Sequence, residues 1–449
     1  MSLSAHVLSF FSSKTKRILA LSIPIVGGMM SQNILNLVDT LMIGKLGAIS
    51  LAAAGIGGFL FFVCFSFFTG SATAVQTMVA RFKGENNTHL YGLPFYMGLI
   101  FVFIFSFISM VIEFSFTDEL VRFFSTDANV VTIAADYFRY RIIGLPFLCI
   151  CLVVRGFFNG ISLPMRYLRV ILIVHSLNIF LNYCLIYGNF GFNQMEAAGA
   201  GLASTVSVIV GTIFYLVDCR TFVSLSVFKQ FSKEKVTENF KWMMQLSLPA
   251  SIQQFLFALG VAGFYWILSC LGTDALAIGN VLVTIVLVGI LPGVGLGMAT
   301  MSLVSESLGK KSLSEMYLWP YDVSKIAIYT LGPLLLLAIL FPEPIISLFI
   351  VEESIVKKAI LPLRLDCIGV FLEVGTLIFM NALNGVDTVK FVMWGAFICQ
   401  WVIYLPLAYF AGITFGLGMA GVWGMWIVFQ VLQVSLFGGV WYYKYRNYV

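Results

Sequence analysis

The chain has 449 residues, 60% of them hydrophobic and only 10% charged, with a mean hydropathy of +0.97. That composition excludes an ordinary soluble domain, and the net charge of +5 speaks to membrane topology rather than to nucleic-acid binding. The eight cysteines sit inside apolar runs, as in Cys149-Ile150-Cys151, without metal-type spacing, and read as small buried hydrophobes.

A membrane-spanning helix needs roughly 20 apolar residues. Breaks by charge, glycine and proline leave twelve such runs, at about 17–43, 48–80, 90–115, 130–158, 165–188, 198–218, 241–270, 275–306, 320–342, 356–384, 388–410 and 414–442. The first follows Lys14, Lys16 and Arg17, carries Asp39 and lacks a small-residue cleavage site, so it reads as a retained helix rather than a signal peptide. The expected fold class is an all-α integral membrane protein of twelve transmembrane helices in two six-helix lobes. The N-lobe is residues 1–218, the inter-lobe linker 219–240 and the C-lobe 241–449. Of the 26 Lys and Arg, nineteen fall on one side of these spans, and Lys45, Arg122, Lys357 and Lys358 on the other. Both chain ends and the linker are therefore expected in the cytoplasm.

The two lobes repeat one another. Leu21-Ser22-Ile23-Pro24 recurs as Leu246-Ser247-Leu248-Pro249, Gly84 as Gly309, and Asn159-Gly160 as Asn384-Gly385, all at an offset of 225. Near the end the register slips to 222, from Ala198-Gly199 to Ala420-Gly421. Internal repeats in a membrane chain are a mark of transporters, with the working site near the bilayer midplane. No P-loop, HExxH or GxSxG pattern is present, so neither direct ATP drive nor a membrane hydrolase is expected.

Polar groups deep in a membrane helix are costly and usually functional. Gln32, Asn36 and Asp39 share one face of the first helix, and His175, Asn178 and Asn182 one face of the fifth. Two such stripes suggest a hydrated cavity with an acid at its edge, able to take up and release a proton near neutral pH. His175 alone reads as a hydrogen-bonded spacer. Pro24, followed by Gly27-Gly28, marks a hinge in the first helix. The second lobe has Phe264 at the position equivalent to Asp39, but carries Glu373 in the tenth helix and Gln253-Gln254 in the seventh, all candidate coupling or substrate residues, with Glu373 either a second cation or substrate site or a buried partner for a polar neighbour. Asp136 near Arg139 and Arg141, and Asp366 near Arg364, read as interfacial ion pairs or snorkelling anchors, and Glu306 as a gate or a solvated charge.

Over essentially its whole length the chain resembles the multidrug and toxic compound extrusion (MATE) family, and most closely its prokaryotic DinF-like branch. The Ser-Ile-Pro opening, Val38-Asp39-Thr40 and the paired Asn-Gly after helices four and ten carry the resemblance. It implies a cation-coupled drug antiporter, usually proton-driven, with Asp39 as coupling acid, Asn178 and Asn182 as its fifth-helix partners, a hydroxyl from Ser204 or Thr205, and Pro24 as the bending point. Some archaeal members carry a second acid where this chain has Asn182. The sodium-coupled branch has a seventh-helix acid absent here, near Phe257, and a tenth-helix acid that Glu373 matches.

The expected function is therefore export of cationic or amphipathic small molecules in exchange for protons, by alternating access, with no cofactor, no enzyme activity and no nucleic-acid partner. The setting is the lipid bilayer of the plasma membrane, and nothing demands more than a monomer. The alternatives are sodium coupling at Asp39 or Glu373, or a lipid-linked oligosaccharide flippase of the same superfamily.

Overall fold

A computed structural model describes residues 12–223, 232–350 and 352–448. The chain ends, expected in the cytoplasm, and the middle of the linker with Lys229 lie outside the described residues. What is described is helical, with no strand. Hydrocarbon offers the backbone no partners, so each span must satisfy its own amides as a helix.

In chain order the helices are α1 (Ser13–Gly44), α2 (Ala48–Ser66), α3 (Gly70–Gly84), α4 (Gly92–Ser115), α5 (Thr117–Arg122), α6 (Ala128–Ile142), α7 (Leu145–Gly160), α8 (Pro164–Tyr187) and α9 (Glu196–Cys219). There follow α10 (Lys233–Cys270), α11 (Thr273–Gly309), α12 (Leu313–Leu340), α13 (Pro342–Ser347), α14 (Glu353–Gly385), α15 (Val389–Phe397), α16 (Leu405–Tyr409) and α17 (Gly418–Tyr445). π-Helical turns at Ile398–Tyr404 and Phe410–Thr414 flank α16.

Among the described residues, ten helical segments are long and apolar enough to cross a membrane. The pair α6 and α7, bent by 48°, makes an eleventh. Twelve were expected from sequence. The tenth expected run falls inside α14, a 33-residue helix that carries Asp366 and Glu373.

The chain forms two compact units. One joins the residues up to Val26 with Leu256–Val449, and the other is Gly27–Phe255. We call them the C-unit and the N-unit. Helix α1 changes unit between Val26 and Gly27, and α10 between Phe255 and Leu256. Each repeat thus lends the first half of its first helix to the unit built mainly from the other.

Glycine makes room for both exchanges. A Cβ on Gly295 would stand 2.4 Å from Val26 Cγ2, and one on Gly70 only 2.3 Å from the Ser247 carbonyl oxygen and 2.4 Å from the Ser251 amide nitrogen. Gly70 and Gly295 are 225 apart, as are Val26 and Ser251, so this is one packing solution used twice. At the inner end the same equivalence holds with different chemistry. Arg17 and Lys310 each pair with Glu306 at 2.6 Å. The equivalents of Arg17 and Glu306 are Trp242 and Arg81, whose guanidinium lies 5.1 Å from the indole centroid. Glu306 is thus no solvated charge: it is buried, and two cations neutralise it.

The N-unit core gathers Phe95, Phe138, Val153 and Phe157, and the C-unit core Leu303, Val370, Ile378 and Phe437. The outer faces are apolar as well, with Phe103, Phe105 and Phe107 on α4 and Leu334, Leu336 and Leu337 on α12 exposed. Water would not tolerate such continuous faces, and lipid does.

Candidate functional site

The two polar stripes of the first lobe meet within the N-unit. Asn182 Nδ2 donates to Asp39 Oδ1 at 2.6 Å and to Asn178 Oδ1 at 3.0 Å. Asn178 Nδ2 then donates to Ser204 Oγ at 3.1 Å. A single chain of hydrogen bonds thus runs from the α1 carboxylate through two α8 amides to an α9 hydroxyl. Asn178, Asn182 and Ser204 are buried and Asp39 is partly buried.

Of the two α9 hydroxyls singled out, only Ser204 joins this chain. Thr205 Oγ1 donates instead to the carbonyls of Tyr140 and Arg141, at 2.7 and 3.4 Å. That ties α9 to the end of α6, beside the bend.

A second network lies two turns nearer the start of α1. Gln32 Nε2 donates to Asn36 Oδ1 at 3.1 Å, and Gln32 Oε1 stands 3.1 Å from His175 Nε2. An amide oxygen only accepts, so His175 donates from Nε2, and its Nδ1 stands 2.6 Å from Ser31 Oγ. The imidazole bridges α1 and α8 by hydrogen bonds.

The end of α1 is held in place around the acid. Tyr187 donates to the Met42 carbonyl at 2.8 Å, and Ile43 packs with Ala54, Tyr137, Ile186, Ala197 and Ala200. Pro24 lies inside α1, which continues through it as one helix, and the change of unit comes two residues later, immediately before Gly27-Gly28. Lacking an N–H, Pro24 leaves the Ala20 carbonyl without its helical partner at that point.

The residues singled out in the second lobe fall in different units. Glu373 belongs to the C-unit, whereas Gln253 and Gln254 lie before the change of unit in α10 and belong to the N-unit. Gln253 is buried and Gln254 exposed. What does accompany Glu373 is Asp366, seven residues earlier on α14. Its side chain is only 6% exposed, and it lies within electrostatic reach of Glu373 and Tyr404.

This overturns the reading of Asp366 as an interfacial partner of Arg364, since Arg364 Nε donates to the Ile339 carbonyl instead. Glu373 Oε2, Tyr404 OH and Trp426 Nε1, whose ring centroid lies 5.4 Å from that of Tyr404, are all buried without a hydrogen-bond partner. The i, i+7 spacing of Asp366 and Glu373 was the available sign that both share one face of α14.

Arg139 and Arg141 also part company. Arg139 behaves as the expected anchor, with ion pairs to Asp118 at 2.5 Å and Asp136 at 3.3 Å. Arg141 has no such pair among the described residues and lies over the Phe61 ring, 4.8 Å from its centroid. Residues two apart on a helix do not share a face, which is the sign that was available in the sequence.

Among the described residues no group of three or more His, Cys, Asp or Glu converges as a metal site would. Oxygens able to hold a monovalent cation are offered by Asp39, Asn178 and Asn182 in the N-unit, and by Asp366, Glu373 and Tyr404 in the C-unit.

Comparison with known proteins bears on the whole chain. A protein from Mannheimia succiniciproducens named as a probable multidrug resistance protein NorM is 27% identical, over 95% of this chain and 93% of its own. The multidrug resistance protein NorM of Vibrio cholerae is 23% identical, over 94% of this chain and 93% of its own. A solved MOP superfamily transporter from Pyrococcus furiosus superposes with a TM-score of 0.88 at 21% identity, over 97% of both chains. A crystal structure of a MATE in the bent conformation superposes at 0.89 with 22% identity, covering 97% of this chain and 96% of that one. At such identities the solved structures speak for the fold. The MatE family model matches twice, over residues 24–184 and 249–410, so that the two matches begin 225 residues apart and together cover well over half the chain. The chain belongs to the MatE family and is a multi-pass membrane transporter, not an enzyme.

Proposed function

We propose that this chain is an efflux antiporter of the plasma membrane, exporting cationic or amphipathic small molecules in exchange for protons taken up at Asp39, with both chain ends in the cytoplasm. The observation that supports the reading is the unbroken hydrogen-bond chain from Asp39 through Asn182 and Asn178 to Ser204. The relatives named as multidrug resistance proteins support the substrate class.

In its present arrangement Asp39 accepts from Asn182, as a carboxylate does. Asn182 Oδ1 is buried and has no partner. A proton arriving on Asp39 turns the carboxyl into a donor, and the nearest idle acceptor is that amide oxygen. Meeting it requires the Asn182 amide to turn, which withdraws its donor from Asn178 and loosens Asn178 from Ser204. The stretch of α1 beyond Pro24 is then free to shift, and a bound cation loses its counter-charge. One charge crossing 100 mV is worth about 2.3 kcal/mol, enough to bias such a step.

Sodium coupling in the C-unit is the second reading. Two buried oxygens without a partner, Glu373 Oε2 and Tyr404 OH, favour it.

The test is dye transport in proteoliposomes under a proton gradient, then a sodium gradient, with wild type, Asp39→Asn and Glu373→Gln. Proton-driven transport lost only in Asp39→Asn is expected. Sodium-driven transport lost only in Glu373→Gln would move coupling to the C-unit, and no transport of dye under either gradient would favour the flippase.

A further inference from the structure

We infer that Arg141 is the fixed counter-charge of the Asp39 site and selects compounds that carry an anionic group beside their cationic one. The inference rests on the reading of the N-unit network as the transport site.

Arg141 lies near the end of α6, partly buried like Arg139 and unlike the exposed Asp136. Its neighbour Arg139 is fully occupied by Asp118 and Asp136. Arg141 has neither an ion pair nor a side-chain hydrogen bond among the described residues, and its Nε is buried without an acceptor. The Phe61 face beneath the guanidinium offers a cation–π contact but no acceptor oxygen.

Its backbone is pinned, because Thr205 donates to the Tyr140 and Arg141 carbonyls in the last turn before the bend. The side chain is thus presented from a rigid position. A guanidinium nitrogen buried without an acceptor is costly, and the planar fork of arginine is suited to a carboxylate.

The charge it answers to is Asp39. The two lie within electrostatic reach, and Tyr137 is close to both, yet no ion pair joins them. The other groups of the network, Asn178, Asn182 and Ser204, are neutral. When Asp39 is ionised the site therefore holds two separated opposite charges and no net charge.

Such a site pairs a ligand's ammonium or amidinium with Asp39 and its carboxylate with Arg141, each in place of water. A purely cationic ligand meets Asp39 but is opposed by Arg141. Protonation of Asp39 leaves the guanidinium as the only charge, so the proton does more than remove an attraction: it leaves a repulsion behind.

The test uses the full chain in detergent and in proteoliposomes, with a rhodamine bearing a free carboxylate and its methyl ester as probes. The pair differs by one negative charge. Wild type is expected to bind the acid about tenfold more tightly than the ester, the scale of a lost charge-assisted contact. Arg141→Gln should abolish that preference by weakening the acid while tightening the ester, which no longer meets a like charge, and Arg141→Lys should keep most of it.

Equal binding of acid and ester by wild type overturns the proposal without any variant. So does Arg141→Gln weakening both probes alike, which would make Arg141 a structural residue. Asp39→Asn separates the two readings. If it loses both probes while wild type ignores the carboxylate, only the role of Arg141 falls. If it binds and transports both as wild type does, the transport-site reading itself falls.

Discussion

Asp39 in the N-unit and Glu373 in the C-unit are intramembrane acids in opposite states of repair. In the N-unit Asp39 is wired: each bond from it to Ser204 is made by a donor and an acceptor in ordinary geometry. In the C-unit Glu373 shares a face of α14 with Asp366, which Trp423 reaches by a hydrogen bond, whereas Glu373 Oε2 is buried with no partner, as are Tyr404 OH and Trp426 Nε1. The repeat does not extend to these acids, since Phe264 stands where the first lobe has Asp39. Duplication has kept the packing between helices and let the chemistry of the two halves diverge. A wired acid has a defined alternative state to switch to, and an unwired one needs an outside partner to become stable.

The largest effect that can break this comparison is on transport. Asp39→Asn keeps the shape and an acceptor for Asn182 but cannot take up a proton, so proton-driven efflux should fall to background while the protein remains folded. Asp366→Asn and Glu373→Gln should retain most of it. Uptake by inverted vesicles under an imposed pH gradient measures all three. Equal losses from the acids of both units would erase the distinction between them.

Much of this was legible in the chain. The offset of 225 that joins Pro24 to Pro249 also predicts which glycines meet which helices, because Gly70 and Gly295 repeat along with their neighbours. Helical periodicity put Gln32, Asn36 and Asp39 on one face of the first helix and His175, Asn178 and Asn182 on one face of the fifth, and the family resemblance, not the periodicity, made the two asparagines the partners of Asp39. What periodicity could not supply was the exchange of half-helices. Gln253 looked like a companion of Glu373 by lobe, and contact assigns it to the other unit. Nor does nearness in sequence reveal direction. Asp366 beside Arg364 and Arg141 beside Asp136 invited ion pairs, and in each case the helix turns the two side chains apart.

The next effect is on stability. Asn182→Ala removes the donor to both Asp39 and Asn178, leaving two buried acceptors unmet, and should cost about 1–3 kcal/mol. Ser204→Ala only ends the chain early, and about 1 kcal/mol is the scale of a single lost bond. Thermal unfolding in detergent distinguishes the two. A harmless Asn182→Ala would mean that water already serves Asp39, and the wiring would lose its significance.

A finer comparison sets equivalent glycines against each other. Alanine at Gly70 drives its Cβ into the backbone of Ser247 and Ser251, which cannot yield without moving a helix. Alanine at Gly295 meets a methyl of Val26, which can rotate. Overpacking typically costs about 1–3 kcal/mol, and Gly70→Ala should lie at the upper end of that range and Gly295→Ala at or below the lower. Reversal of that order in melting temperature would show that the units do not pack their borrowed half-helices alike.

The smallest effect expected is the most diagnostic of the C-unit. Tyr404 is buried, and its hydroxyl has no partner. Removing an unmet polar group forfeits no bond and lifts a desolvation cost, so Tyr404→Phe should be neutral or slightly stabilising in sodium-free buffer. A cation held by Asp366, Glu373 and this hydroxyl changes the balance, because a ligand that binds only the folded protein adds stability that grows with its concentration. Melting curves of wild type and Tyr404→Phe, each with and without sodium at constant ionic strength, therefore divide the possibilities. If sodium raises neither curve, the C-unit acids are structural and the comparison with the N-unit stands as drawn. If sodium raises wild type and not Tyr404→Phe, the unmet groups are the ligands of an ion, and the two units differ in what they couple to rather than in whether they couple.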